Sequence, residues 1–286
     1  MNSNVVVFFK KLIKRYTAHN IAATSAQIAY YWIMAFFPFL IFIISLLTYT
    51  KIPAGILLEY IAKIVPASSV PFIQNTINQF IINRSTTLLS VGMLFTLWSG
   101  GTAVNALAGG IHLAYNSKPV KPFWLSRLTA VLYTILLAVL IIVLMVGLVF
   151  GNRLGDYIME SLHMNKGIFM PIWQLGRLIM PFLALIAILY IIYRIIPRKH
   201  LKCKNVWPGT VVVSLGWYFF SLIFSIYVDN YSKYNQLYGS IGGVFVLLIW
   251  LYSSCMLLLV GAEINSLYQE LKTNHVIRKI ERIRTT

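Results

Sequence analysis

Six apolar runs alternate along the chain with short polar, mostly basic segments. They cover about 22–50, 86–115, 125–150, 171–196, 208–228 and 241–262. Each is long enough for a helix to cross a hydrocarbon core of roughly 30 Å, which takes about 20 residues. The last run is the cleanest. From Ile241 to Ala262 it carries no charge, and it ends on Glu263, the first acid after Asp229. The pattern predicts an all-α, polytopic integral membrane protein with six transmembrane helices in a single membrane domain, 1–286.

Three further stretches repeat at helical spacing but are too polar to span. Residues 4–18 place Val5, Phe8, Phe9, Leu12 and Tyr16 near one face, with Lys10, Lys11, Lys14 and Arg15 around the other. This predicts a basic amphipathic helix lying in the interface before the first span. In the external loop 51–85, Ile56, Tyr60 and Ile64 form one apolar stripe, and Ile73, Ile77, Phe80 and Ile81 a second. Pro66 and Pro71 separate them, so two short interfacial helices are expected. The tail 263–286 repeats Ile264, Leu267, Leu271, Ile277, Ile280 and Ile283 among basic residues, a third amphipathic segment.

Composition removes the soluble alternative. Apolar residues make up 59% of the 286 and charged residues 11%, against about 25% charged in an ordinary soluble domain. The net charge of +17 does not indicate a nucleic-acid partner, because the basic residues fall in clusters between spans. Seventeen of the 24 lie in the segments that six spans place on the side of both termini, six lie on the other side, and Arg177 is inside a span. The positive-inside rule then puts both termini in the cytoplasm of a bacterial cell. Basic residues at that face attract anionic lipid by about 1 kcal/mol each, which makes membrane lipid the expected partner. Cys203 in a basic loop and Cys255 in mid-span offer neither metal-ligand spacing nor a disulfide. The N-terminal stretch lacks the charge, apolar core and cleavage order of a signal peptide, so no cleavage is expected.

Polar chemistry inside the spans supplies the functional candidates. Gln27, Tyr30, Tyr31, Trp98, Asn105, Arg177 and Trp250 are candidates for a cavity or pathway among spans 1, 2, 4 and 6. Pro38, Tyr238, Gly239, Ser240, Gly242 and Gly243 are candidates for packing or a gate, with Pro38 expected to kink the first span and Tyr-Gly-Ser-x-Gly-Gly read as a turn at the external mouth. The plainer account stands beside each. Gln27 and Asn105 also suit interhelical hydrogen bonds, and the glycines suit close packing. Arg177 also suits pairing with Asp156 or Glu160, and Glu263 a cytoplasmic ion pair with Arg194 or Arg198. His112 reads as an interface histidine rather than a proton relay. No span holds an acid at its centre, which argues against a pump coupled through a mid-membrane carboxylate.

The C-terminal third carries a recognisable constellation. Pro197 ends the fourth span, Pro208-Gly209 opens the fifth, and the sixth contains Tyr238-Gly239-Ser240, Trp250, Tyr252, Gly261, Glu263 and Asn265. With Ala29-Tyr30-Tyr31 and Phe37-Pro38 in the first span, these residues resemble the YihY/BrkB family of bacterial inner-membrane proteins over nearly the whole chain. The resemblance implies a virulence factor linked to serum resistance, or a transporter for a lipid-like or small substrate. Some members carry an older label as the tRNA-processing ribonuclease BN.

Three functions compete. A transporter or flippase uses the polar span residues. A scaffold or regulator supporting envelope integrity would use the basic amphipathic ends. An enzyme fits poorly. His19, His112, His163, His200 and His275 are isolated from one another, and neither HExxH nor GxSxG occurs, so no catalytic residue, metal or cofactor is expected.

Overall fold

The computed structural model describes residues 2–49, 86–117, 125, 128–136, 139, 161, 166–197, 206–230 and 233–284. Its helices are α1 (Asn2–Ala18), α2 (Ile21–Tyr49), α3 (Thr86–Ala114), α4 (Lys166–Ile195), α5 (Trp207–Asn230) and α6 (Lys233–Arg284). No strand occurs among the described residues. Among the described residues, five helices are long and apolar enough to cross a membrane, beginning at Ile21, Leu89, Phe169, Trp207 and Val244. The expected sixth, 125–150, falls mostly outside the described residues, although 128–136 is helical. The external segment 51–85 lies outside them entirely.

Two boundaries differ from expectation. The span 241–262 and the tail that follows it are one unbroken helix, and the Tyr238–Gly243 turn is helical too. Hydropathy falls sharply after Ala262, but polarity alone does not end a helix. No proline lies between Lys233 and Arg284, and in an apolar setting the helix is what keeps every backbone group bonded. Likewise α2 runs through Pro38 without interruption.

Three hydroxyls inside apolar helices turn back onto their own backbone. Thr96 donates to the Gly92 carbonyl at 2.6 Å, Thr134 to Ala130 at 2.9 Å and Ser214 to Thr210 at 2.8 Å. Each bond satisfies a polar atom that lipid could not.

The chain divides into two compact units. The second, Tyr31–Val104 with Arg127–Arg177, packs through glycines. A Cβ on Gly92 would meet the Phe42 amide nitrogen at 3.3 Å, and one on Gly100 would meet Thr134 Cγ2 at 2.5 Å. Gly100, in the Trp-Ser-Gly-Gly stretch, is thus a close-approach point between helices.

The first unit comprises Met1–Tyr30, Asn105–Ser126 and Leu178–Thr286. Two left-handed residues shape it. Asn20 (φ 48°) ends α1, and its N–H reaches the Thr17 carbonyl at 3.1 Å. Asn116 (φ 47°) ends α3, where Ser117 N–H closes on the His112 carbonyl at 2.9 Å. Asparagine tolerates this conformation better than most side chains, and the bonds satisfy carbonyls a helix end leaves free. A two-residue turn therefore folds α1 back against the bundle, with no slack.

Candidate functional site

In α6, Gly261 through Asn265 are five consecutive buried residues. A helix buried at five successive positions is covered on every side. Each side is covered by a different helix.

Toward α5, the contact is nearly backbone to backbone. A Cβ on Gly209 would sit 2.2 Å from the Gly261 carbonyl oxygen, and one on Gly261 would sit 2.2 Å from Val213 Cγ2. Gly209 and Val213 are one turn apart, as are Gly261 and Asn265, so the two stripes lie along each other. The Asn265 Oδ1 accepts from the Gly209 N–H at 2.7 Å. Gly209 is in the first turn of α5, where amides lack intrahelical acceptors, so Asn265 caps α5 from a neighbouring helix. Pro208 beside it has no N–H to satisfy and suits a helix start. Tyr193 of α4, fully buried, donates its hydroxyl to the Leu258 carbonyl at 2.7 Å. The buried Tyr115 hydroxyl lies beside Asn265 and within electrostatic reach of Glu263. On the α3 side, Gly110 leaves room for Leu259, whose Cδ2 would be 2.7 Å from an added Cβ.

The remaining side meets α1 through charge. Lys11, Arg15 and His19 are spaced by four and share one face of α1. Glu263, Ser266 and Glu270 share one face of α6. The two stripes run antiparallel. Lys11 Nζ bonds Glu270 Oε1 at 3.3 Å. Arg15 Nη1 donates to Glu263 Oε2 at 3.4 Å and to Ser266 Oγ at 3.0 Å, and Arg15 Nη2 pairs with Glu270 Oε2. His19 Nδ1 contacts Glu263 Oε1. The Glu263 side chain is only 1% exposed, so both of its oxygens are matched by positive or polar groups, as a buried carboxylate requires. Tyr16 adds a bond to Met256 Sδ at 3.6 Å.

Of the two partners expected for Glu263, Arg194 is placed elsewhere. Glu263 binds Arg15 and His19, whereas Arg194 is exposed, donates to the Tyr190 hydroxyl at 3.4 Å and stacks over its ring. Arg198 lies outside the described residues. The alternative is electrostatically better, since a carboxylate this buried needs a partner delivered by a packed helix rather than an exposed side chain.

Gln27 and Tyr30 are exposed on α2 and Tyr31 is half-buried. Trp98 is 69% exposed, and Asn105 is half-buried. Trp250 packs edge-on to Trp217 at 5.6 Å, and Trp217 in turn donates to Ser254 at 3.1 Å. That makes Trp250 part of the α5–α6 contact. The side chains of Arg177, Tyr238, Gly239, Ser240, Gly242 and Gly243 lie outside the described residues, as do Asp156 and Glu160. Pro38 is half-buried. His112 bonds Ser117 Oγ at 2.9 Å and closes the end of α3. Arg15, His19, Ser266 and Glu270 are the residues that the sequence reading missed. Their signal was two oppositely charged stripes at helical spacing.

The family model described as virulence factor BrkB matches residues 12–282. A Bacillus subtilis protein named YfkH, ribonuclease-like, is 34% identical, the match covering 93% of this chain and 96% of that one. A UPF0761 membrane protein of Pseudoalteromonas atlantica is 19% identical over 90% of this chain and 84% of its own. Another from Tolumonas auensis is 20% identical over 76% and 69%. No solved structure matches.

Proposed function

This chain belongs to the BrkB virulence-factor family of membrane proteins, and from that premise we propose that it is a transporter or flippase for a lipid or small molecule. The observation that carries the reading is the polar face at the start of α2, where the Gln27 amide is exposed and the Tyr30 ring is 51% exposed. A primary amide turned to hydrocarbon is costly. A groove that passes a polar headgroup gives the Gln27 amide a partner. The setting is the bacterial cytoplasmic membrane with both termini in the cytoplasm, supported by the seventeen basic residues on that side.

The purified protein in liposomes moves fluorescent phospholipids or small anions across the bilayer, and Gln27→Leu slows that movement about tenfold or more. Wild-type liposomes as inactive as protein-free ones across a broad panel would sink the proposal.

A second reading, a scaffold supporting envelope integrity, is favoured by one feature. The most completely bonded polar network holds helices together instead of lining a passage. A stoichiometric protein partner that co-purifies, together with inactive liposomes, decides for it. In either case the protein is proposed to act without catalysis, on the dispersal of its histidines along the chain. Metal-loaded protein leaves tRNA intact, and specific cleavage abolished by a single substitution would overturn this.

A further inference from the structure

The ion pairs fix which way α1 faces. With Lys11, Arg15 and His19 turned onto α6, the opposite face of α1 looks outward, and it is apolar. Val6 is 50% exposed, Phe9 55% and Ile13 65%. Lys10 and Lys14 are also exposed, and they flank this patch at helical spacing. The arrangement departs from the expected one, in which all four basic residues shared a face opposite the apolar one. The acids of α6 divide the basic residues into an inward set and an outward set, and they split the apolar set too. Phe8 and Leu12 become half-buried while Phe9 and Ile13 stay out.

We propose that this outward face of α1 is a docking surface for anionic phospholipid, with Val6, Phe9 and Ile13 entering the headgroup–acyl boundary and Lys10 and Lys14 reaching lipid phosphate. Three observations choose this occupant. The turn at His19–Asn20 joins α1 directly to a membrane-crossing helix, which holds α1 at the edge of the bilayer. Apolar side chains bordered by lysines match a surface that is greasy below and negatively charged above. The inward face is pinned by ion pairs, so α1 cannot roll to hide its apolar side. The lipid surface is therefore provided by α1 and held in its orientation by α6. The proposal rests on membrane residence alone and stands whether or not the protein transports anything.

Spin labelling of the full chain tests it. In a Cys203→Ser background, with Cys255 buried, a nitroxide is placed at Ile13→Cys. The protein is then reconstituted in phosphatidylcholine vesicles with and without phosphatidylglycerol. In anionic vesicles the label collides with oxygen in preference to a water-soluble nickel complex, and it becomes shallower without phosphatidylglycerol. Adding Lys10→Gln and Lys14→Gln, both on exposed positions, weakens the dependence on phosphatidylglycerol on the order of tenfold. A label as open to nickel as one in water overturns the proposal. So does a label shielded from both reagents and dipolar-broadened, which would place a second copy there. Insertion indifferent to lipid charge overturns the anionic assignment.

Discussion

Arg15→Ala lowers the unfolding free energy of the protein by about 3–5 kcal/mol, the usual cost of stranding one partner of a buried ion pair. Among the described residues, Arg15 is the one side chain that touches Glu263, Ser266 and Glu270 together. Without it Glu263, at 1% exposure, keeps only His19, and the carboxylate has no water to turn to. The loss is mostly that of an uncompensated charge, which a double substitution can show. Arg15→Ala combined with Glu263→Gln is less destabilised than Arg15→Ala alone, because a neutral amide is cheaper to bury. Lys11→Ala gives a smaller effect, since its pair with Glu270 is about two-fifths exposed on both sides. Thermal and denaturant unfolding in nanodiscs gives the comparison. An Arg15→Ala protein within about 0.5 kcal/mol of the parent would show that the network is peripheral to stability.

Gly209→Ala destabilises by about 3 kcal/mol or more, at or beyond the upper end of overpacking costs. The added methyl would be 2.2 Å from the Gly261 carbonyl oxygen and 2.6 Å from Asn265 Cγ. The first is backbone and the second belongs to a side chain held by its own hydrogen bond, so rotamer change cannot relieve the clash. The start of α5 must then lift from α6 and give up the Gly209–Asn265 bond. Gly109→Ala is the matched control. It lies in α3, and an added Cβ there meets nothing within 4 Å. It should be neutral or gain up to about 0.5–1 kcal/mol from lost chain entropy. Equal behaviour of the two variants in a melting experiment would refute the close-crossing account.

The membrane helices were legible because an uncharged run of sufficient length has only one stable fate in lipid. Asn20, Asn116 and Pro208 mark the helix ends around α1, α3 and α5. The division of α6 at Ala262 was misread, since a change of polarity looks like an end when only hydropathy is followed. The family motif was visible as residues but not as geometry. Only the folded chain shows that Gly261 and Asn265 are spaced to receive Gly209, and that Asn265 caps α5. The Glu263 pairing was hidden for a different reason. Arg194 and Arg198 sit closer along the sequence and on the same predicted side, while Arg15 is 248 residues away. Periodicity identifies a charged stripe but does not say which other stripe it meets.

That separation has a consequence for biosynthesis. The ion pairs between α1 and α6 link residues 244 to 259 positions apart. At about 5–20 residues per second, α1 leaves the ribosome roughly 10 to 50 s before Glu263 and Glu270 exist. Throughout that interval its basic stripe lacks Glu263 and Glu270, the acids it pairs with in the folded protein. The clasp can close only after the last membrane helix has been made and inserted. A chain that stalls before Glu263 therefore leaves its N-terminal helix unlatched, a mark that a protease surveying nascent membrane proteins could read as incompleteness.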